Sequence, residues 1–114
     1  MNITNNIINL QRTIPSTCKI VAVSKTHPVE KIREAYDAGQ RIFGENRVQE
    51  MTPKFEALPK DIEWHMIGHM QTNKVKYITP FVGLIHSVDR HTLLEEINKQ
   101  GAKINRTISC LLQI

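Results

Sequence analysis

The sequence has few aromatic residues, only two cysteines and no long apolar run. Aromatic side chains make up 5% of the 114 residues and the basic residues are scattered singly, so we expect no nucleic-acid binding. Cys18 and Cys110 lie far apart, whereas small secreted domains carry more cysteines at closer spacing. The apolar runs are far shorter than the roughly 20 residues that cross a bilayer, and no signal peptide is recognisable. We therefore expect a cytoplasmic protein with reduced thiols and no membrane contact.

The composition is that of a globular chain with a modest excess of positive charge. Apolar residues account for 40% and charged residues for 23%, which is typical of a soluble domain. The net charge of +4 suits an anionic ligand such as a phosphate. A chain of 114 residues buries one core, so the sequence indicates one domain or part of one.

Apolar segments typical of strands alternate with amphipathic segments typical of helices. A first helix is expected over residues 3–14, followed by a fully buried strand over residues 20–23. A helix then begins near Pro28 and ends at Gly39. The same strand-and-helix unit recurs three times, with strands at 41–46, 62–68 and 84–88 and helices at 48–58, 71–78 and 91–99. Gly101 is expected to stop the last helix, and residues 107–114 form a fifth strand.

Strict alternation of strands and helices predicts parallel strands joined by crossover helices. An open doubly wound sheet and a (β/α)8 barrel both satisfy that pattern, but no Gly-rich phosphate turn follows the first strand, which disfavours a dinucleotide fold. A barrel usually needs about 250 residues. We therefore predict an α/β fold made of parallel (β/α) units of a TIM-type barrel, truncated after strand five. On this interpretation residues 1–114 are a single partial domain, the N-terminal half of the barrel.

Polar residues follow the apolar part of four successive strands. Because the carboxyl ends of parallel strands share one rim, these residues are expected to converge on a candidate site. They are Ser24-Lys25, Glu45-Asn46, Gly68-His69 and Ser87-Val88-Asp89.

Lys25 is the most unusual of these residues because it directly follows a run of mostly apolar strand residues. If its side chain points inward, partial desolvation favours the neutral amine, which is the nucleophile for Schiff-base chemistry with an aldehyde or ketone. Spacing alone favours a simpler alternative, a lysine that extends from the strand end to solvent.

The other rim residues each allow a functional and a structural interpretation. Gly44 leaves room for a ligand or another backbone, and Glu45 orients its neighbours or pairs with a basic residue. Asn46 holds a ligand oxygen or caps the following helix. Ser87 binds a ligand or satisfies backbone groups at its turn, and Asp89 is expected to cap the last helix.

Two of the five histidines, His65 and His69, are four positions apart, which on a helix would place them on one face. The segment between them is predicted to be a strand, and no glutamate follows His65 as in a His-Glu-x-x-His zinc motif. We therefore expect packing or hydrogen-bonding histidines and no metal site.

Taken together, the rim segments resemble one family, the pyridoxal-phosphate homeostasis proteins, whose barrel is similar to the N-terminal domain of alanine racemase. The resemblance runs from about Ile20 to the last residue. The motifs that carry it, in order, are Ala22-Val23-Ser24-Lys25, Phe43-Gly44-Glu45-Asn46-x-Val48-Gln49-Glu50, Trp64-His65-x-Ile67-Gly68-His69-x-Gln71-x-Asn73-Lys74, His86-Ser87-Val88-Asp89 and Leu111-Leu112-Gln113-Ile114.

The resemblance implies a site for pyridoxal 5'-phosphate. It implies that Lys25 holds the cofactor as a Schiff base and that Asn46 lies beside it, and Ser87 at the fourth strand end is a further candidate cofactor contact. Members of the family bind the cofactor without an established turnover and take part in the homeostasis of intracellular pyridoxal phosphate. Their phosphate-binding loops lie in the second half of the barrel, which corresponds to sequence beyond Ile114.

Two enzymatic alternatives remain open at this point. The first is a pyridoxal-phosphate-dependent enzyme such as an amino-acid racemase, which needs a second acid or base on the opposite face of the cofactor. The second is an aldolase-type Schiff-base lysine that acts on sugar phosphates without a cofactor. That second alternative accounts for Lys25 but not for the later motifs.

Overall fold

Strands and helices alternate along the chain in the computed structural model, which describes residues 2–114. The strands are β1 (Ala22–Val23), β2 (Ile42–Glu45), β3 (Glu63–Met66), β4 (Val82–Val88) and β5 (Cys110–Leu112). The helices are α1 (Ile3–Thr13), α2 (Val29–Asp37), α3 (Val48–Ala57), α4 (Val75–Ile78) and α5 (His91–Lys103), with a 3₁₀ turn at Thr72–Lys74 before α4. The four predicted strand-and-helix units and the fifth strand are confirmed.

Several element ends differ from the sequence-based expectation, most clearly those of β1, α5 and β5, which spans Cys110–Leu112 rather than residues 107–114. Strand β1 comprises only Ala22–Val23 of the expected residues 20–23, and because Val23 is 51% exposed the expectation of a fully buried strand is wrong. Gly101 does not stop α5, which continues to Lys103. A Cβ atom at Gly101 would lie 2.6 Å from the Arg106 carbonyl oxygen, so the glycine allows the following chain to pack closely against the helix.

The five strands form one parallel sheet in the order β1-β2-β3-β4-β5. Register partners include Phe43 with Trp64 and Met66 with Ile85. The pairing shifts register once in β3–β4 and once in β4–β5. Because every strand runs in the same direction, all five carboxyl ends lie along one edge of the sheet, and that edge is called the rim below.

The core lies between the helices and one face of the sheet. Burial of apolar surface supplies the main driving force for this layer, at roughly 25 cal/mol per Å². Helices α2 to α5 contribute buried residues to a single cluster with the strands, and the half-buried Ile3 and Ile7 of α1 pack against it. Its fully buried large side chains include Phe43, Met51, Trp64, Met66, Ile78, Ile85 and Leu93.

The opposite face of the sheet is more open. Val23 pairs in register with Gly44, so both residues belong to this face, and the Val23 side chain is 51% exposed. A Cβ atom at Gly44 would lie 3.1 Å from the Ile67 side chain and 3.3 Å from that of Val21. Neighbouring side chains therefore occupy the space that Gly44 leaves.

The structure can be compared with two expectations from the sequence, reduced cysteine thiols and short apolar segments. Cys18 is exposed, Cys110 is half-buried, and both thiols are free. Within residues 2–114, no helix has the length and apolar character needed to cross a membrane.

Candidate functional site

Lys25 lies at the rim, directly after β1, and its side chain is exposed. A buried amine at Lys25 is therefore not observed. The solvent-reaching arrangement that spacing favoured is the one observed. An exposed amine at a strand end remains accessible to a ligand that approaches the rim.

Hydrogen bonds connect the strand ends on which the three predicted cofactor-binding residues stand. The Ser24 amide donates to the Gly44 carbonyl at 2.9 Å, and the Ile67 amide donates to the Glu45 carbonyl at 2.9 Å. The Ser87 hydroxyl then donates to the Ile67 carbonyl at 3.1 Å. Lys25, Asn46 and Ser87 thus stand at the ends of β1, β2 and β4 on one continuous rim, with the end of β3 between the last two.

Asn46 is half-buried at the end of β2 and packs against the end of β3. A Cβ atom at Gly68 would lie 2.6 Å from the Asn46 carbonyl oxygen, so only glycine permits this close approach. Asn46 is not the helix cap considered from the sequence. Helix α3 begins at Val48, its N-cap residue is Arg47, and no side chain caps it. The Asn46 amide is therefore not committed to capping α3.

A cavity of about 230 Å³ adjoins Asn46 on the side of α3. Its polar lining includes Arg47, His69, Gln71 and Lys74. The basic side chains of Arg47 and Lys74 favour an anionic group in this region. Lys25 does not line this cavity, so the cavity and the amine are separate parts of the rim.

A buried polar network lies directly beneath the Lys25 turn. Glu45 is fully buried and Lys54 is 6% exposed. The Lys54 ammonium donates to Glu45 Oε2 at 2.9 Å, to Glu45 Oε1 at 3.0 Å and to the Ser24 carbonyl at 3.0 Å. The Ser24 hydroxyl donates to Glu45 Oε2. Of the two interpretations of Glu45, the pairing with a basic residue is confirmed, and the pair also contacts the residue before Lys25.

A second contact from α3 reaches the residue after Lys25. The Thr26 amide donates to Glu50 Oε1 at 3.0 Å. Thr26 has a φ of +66°, in the left-handed region that β-branched residues rarely adopt. Glu50 Oε1 also lies 3.6 Å from the Lys54 ammonium. The backbone on both sides of Lys25 is thus tied to α3.

The remaining rim residues serve structural contacts. Ser87 satisfies a backbone carbonyl, but that of Ile67, directly after β3, rather than one in its own turn. Asp89 does not cap α5, whose N-cap residue is Arg90 with no side-chain cap. The Asp89 carboxylate instead accepts from Arg90 at 2.8 Å and lies 3.8 Å from His69 Nδ1.

Lys54 was missed by the sequence-based interpretation, although its position carries a signal. It follows Met51 by three residues and precedes Leu58 by four, so it falls on the same helical stripe as these two buried residues. A lysine on an apolar stripe needs a buried acidic partner. The partner, Glu45, comes from the preceding strand.

A histidine pair on neighbouring strands was also missed. His65 Nδ1 lies 3.0 Å from His86 Nε2, and His65 Nε2 lies 2.6 Å from Glu63 Oε2. Burial, together with the charge that His65 carries when protonated, lowers the pKa of His86. No group of three or more potential metal ligands occurs in the part of the chain that the structure describes.

Comparison with known proteins places this geometry in context. The whole chain, residues 1–114, matches the family described as alanine racemase, N-terminal domain. The pyridoxal phosphate homeostasis protein of Aquifex aeolicus is 50% identical over 97 residues, which cover 84% of this chain and 42% of that protein. PipY of Synechococcus elongatus, in a structure with PLP bound, superposes with a TM-score of 0.91 at 40% identity, covering 98% of this chain and 54% of that one.

A more distant structure shares the fold alone. Alanine racemase from E. faecalis superposes with a TM-score of 0.74 at 19% identity, covering 87% of this chain and 28% of that one. The resemblance inferred from the rim motifs is confirmed by these matches. The chain spans about half the length of the relatives that it matches.

Proposed function

The chain belongs to the alanine racemase N-terminal domain family, and from that premise we propose that it binds pyridoxal 5'-phosphate as a Schiff base on Lys25. Its role in this proposal is homeostasis of the intracellular cofactor, without a catalytic turnover of its own. Relatives named pyridoxal phosphate homeostasis protein and the PLP-bound structure of PipY support the assignment.

The observation that carries the proposal is an exposed amine on a fixed turn of the rim. Lys25 is accessible, while the residues before and after it are hydrogen-bonded to buried or half-buried side chains. A free lysine side chain loses rotamer freedom when it binds a ligand. Because the backbone of the turn is already fixed, binding does not also have to order the turn, and the total entropy cost is lower.

The donor set at the rim fits the functional groups of this cofactor. Bound pyridoxal phosphate supplies an aldehyde that condenses with an amine, with loss of water, and the Lys25 amine is the nucleophile for that condensation. The Asn46 side chain offers hydrogen-bond donors and an acceptor to an oxygen substituent on the cofactor ring. The Ser87 hydroxyl donates to Ile67, which leaves its lone pairs free to accept.

The cytoplasmic location expected from the sequence is part of this proposal. Both cysteines carry free thiols, which agrees with a reducing compartment.

We further propose that residues 1–114 form the N-terminal half of a pyridoxal-phosphate-binding (β/α)8 barrel. Five sequential parallel strands supply five of the eight positions in such a barrel. The relatives are about twice as long as this chain. Reading the gene downstream of Ile114 tests this interpretation, and a helix after β5 followed by three further strand-and-helix units is the expected result. A stop codon directly after Ile114 would contradict it.

The cofactor assignment is tested by spectroscopy on the protein expressed from its complete reading frame. Addition of pyridoxal phosphate is expected to produce a visible imine band that borohydride reduction abolishes. Peptide mapping after reduction is expected to place the cofactor on Lys25. Lys25→Ala is expected to remove the band, and Lys31→Ala, an exposed lysine on α2, is the matched control that keeps it.

Two outcomes would overturn the assignment. The first is a band that persists in Lys25→Ala, or a reduced adduct on another lysine such as Lys74 beside the Asn46 cavity. The second concerns the absence of turnover. Interconversion of the enantiomers of alanine or serine by the cofactor-loaded protein would favour the racemase alternative.

A further inference from the structure

Within residues 2–114, Glu45–Lys54 is the one ion pair whose two side chains are both buried, and the other large buried side chains of the core are mostly apolar. Burying two charges removes both from water, and their mutual attraction often only offsets that desolvation cost. An apolar pair would fill the same space at least as well. What the charged pair adds is a set of hydrogen bonds to the turn that carries Lys25.

The contacts reach the residue before Lys25 through both its backbone and its side chain. The Ser24 carbonyl accepts from the Lys54 ammonium at 3.0 Å and from the His27 amide at 3.1 Å. The Ser24 hydroxyl donates to Glu45. Ser24 is 4% exposed, so these bonds are shielded from competing water.

The residue after Lys25 is held in a conformation that it would otherwise avoid. A threonine in the left-handed region is strained and persists where surrounding contacts enforce it. The bond from the Thr26 amide to the Glu50 carboxylate is such a contact, and it is charge-assisted. Glu50 and Lys54 are one helical turn apart on α3, so one short segment holds both neighbours of Lys25.

We propose that Glu45, Glu50 and Lys54 are positioning residues for Lys25. They hold the turn over residues 24–26 so that the lysine amine leaves the rim in one direction. The part of this inference that concerns the cofactor rests on the proposed function above, whereas the part that concerns the turn stands without it. When the contact from Glu50 is lost, the turn relaxes, and Lys25 still reacts but with a lower affinity for the cofactor.

Glu50 is the best position for the test because its side chain is one-third exposed and its replacement leaves the core intact. Glu50→Ala removes the acceptor for the Thr26 amide, whereas Glu50→Gln keeps an oxygen acceptor there. We expect Glu50→Ala to weaken pyridoxal phosphate binding by about tenfold, in line with the loss of one hydrogen bond to a charged group. Glu50→Gln is expected to restore most of the affinity.

Two controls separate positioning from general destabilisation. Glu56→Ala replaces another exposed carboxylate of α3 and is expected to leave the affinity unchanged. Leu58→Ala removes a buried side chain at the C-terminal end of α3 and is expected to lower the thermal unfolding midpoint without reducing the affinity for pyridoxal phosphate. Equal loss of affinity in Leu58→Ala and Glu50→Ala would overturn the proposal.

Amide hydrogen exchange tests the turn without the cofactor. The Thr26 amide is expected to exchange faster in Glu50→Ala and in Lys54→Met than in wild type, by at least tenfold, and to be unchanged in Glu56→Ala. Unchanged exchange in both variants would overturn the positioning role even where the protein binds pyridoxal phosphate. Faster exchange in a protein that fails to bind the cofactor would instead refute the proposed function and leave the positioning of the turn established.

Discussion

Replacement of Lys54 by methionine is expected to be among the most destabilising single changes in the protein. Methionine preserves most of the side-chain volume, so the expected loss of stability comes from removal of the positive charge. The Glu45 carboxylate would remain fully buried with the Ser24 hydroxyl as its remaining side-chain donor. Removal of one partner from a buried ion pair costs about 3–5 kcal/mol. A domain of this size has a free energy of unfolding of about 5–15 kcal/mol, so the change removes a large share of it.

The opposite replacement is expected to cost less because the two partners are not equivalent. In Glu45→Met, the Lys54 ammonium keeps the Ser24 carbonyl at 3.0 Å and has Glu50 at 3.6 Å. We expect a loss of about 1–3 kcal/mol. In the double variant Glu45→Met/Lys54→Met no buried charge remains. The Ser24 hydroxyl can still donate to the Gly44 carbonyl at 3.3 Å, so we expect stability within about 1 kcal/mol of wild type.

Urea unfolding followed by circular dichroism measures all four members of this cycle. The control is the exposed pair between Arg41 and Asp61, whose side chains are 44% and 58% exposed. Arg41→Met is expected to change the free energy of unfolding by less than about 1 kcal/mol. A Lys54→Met variant that loses no more than Arg41→Met, or a double variant as unstable as the sum of its single changes, would refute the reasoning.

Two further predictions concern the rim and the histidine pair. Gly68→Ala places a Cβ atom 2.6 Å from the Asn46 carbonyl oxygen, so the backbone must shift. We expect the free energy of unfolding in urea to decrease by about 1–3 kcal/mol and pyridoxal phosphate to bind more weakly. Unchanged stability and unchanged binding would contradict the close approach. The pKa of His86 is lowered by burial and by the charge on protonated His65, whereas in the unfolded chain it is near 6.5. Near and below pH 6.5 the unfolded state therefore binds more protons than the folded state. The free energy of unfolding is largest above pH 6.5 and decreases as the pH falls from there towards the lower pKa of the folded protein. His86→Gln is expected to flatten this part of the pH profile, and an unchanged slope would exclude His86 as its source.

The order of the elements was predictable because each strand and helix leaves a local record in the sequence. Residues 20–23 and 41–46 alternate with helical stripes, and parallel pairing follows from that alternation. The positions of Lys25, Asn46 and Ser87 on one rim follow in turn from parallel pairing. Nothing beyond local pattern was needed for this level of the fold.

The exact contacts were less predictable because they depend on backbone angles and on distant partners. Asp89 was expected to cap α5, but the preceding loop places Arg90 at that position, with a ψ of 152°. The partner of Glu45 lies nine positions along the chain, and Lys54 reaches it only after α3 folds back onto β2. The left-handed conformation of Thr26 has no signal in the sequence, since threonine is a poor residue for that region.

The sequential strand order also affects how the chain folds during synthesis. Each strand pairs with the strand made just before it, and register partners such as Ala22 and Phe43 lie about 20 residues apart. Each of β2 to β5 therefore finds its sequence neighbour already made when it emerges. Translation that proceeds at about 5–20 residues per second supplies a new unit every few seconds. The nascent chain can therefore form this sheet strand by strand, in the order in which the strands are translated.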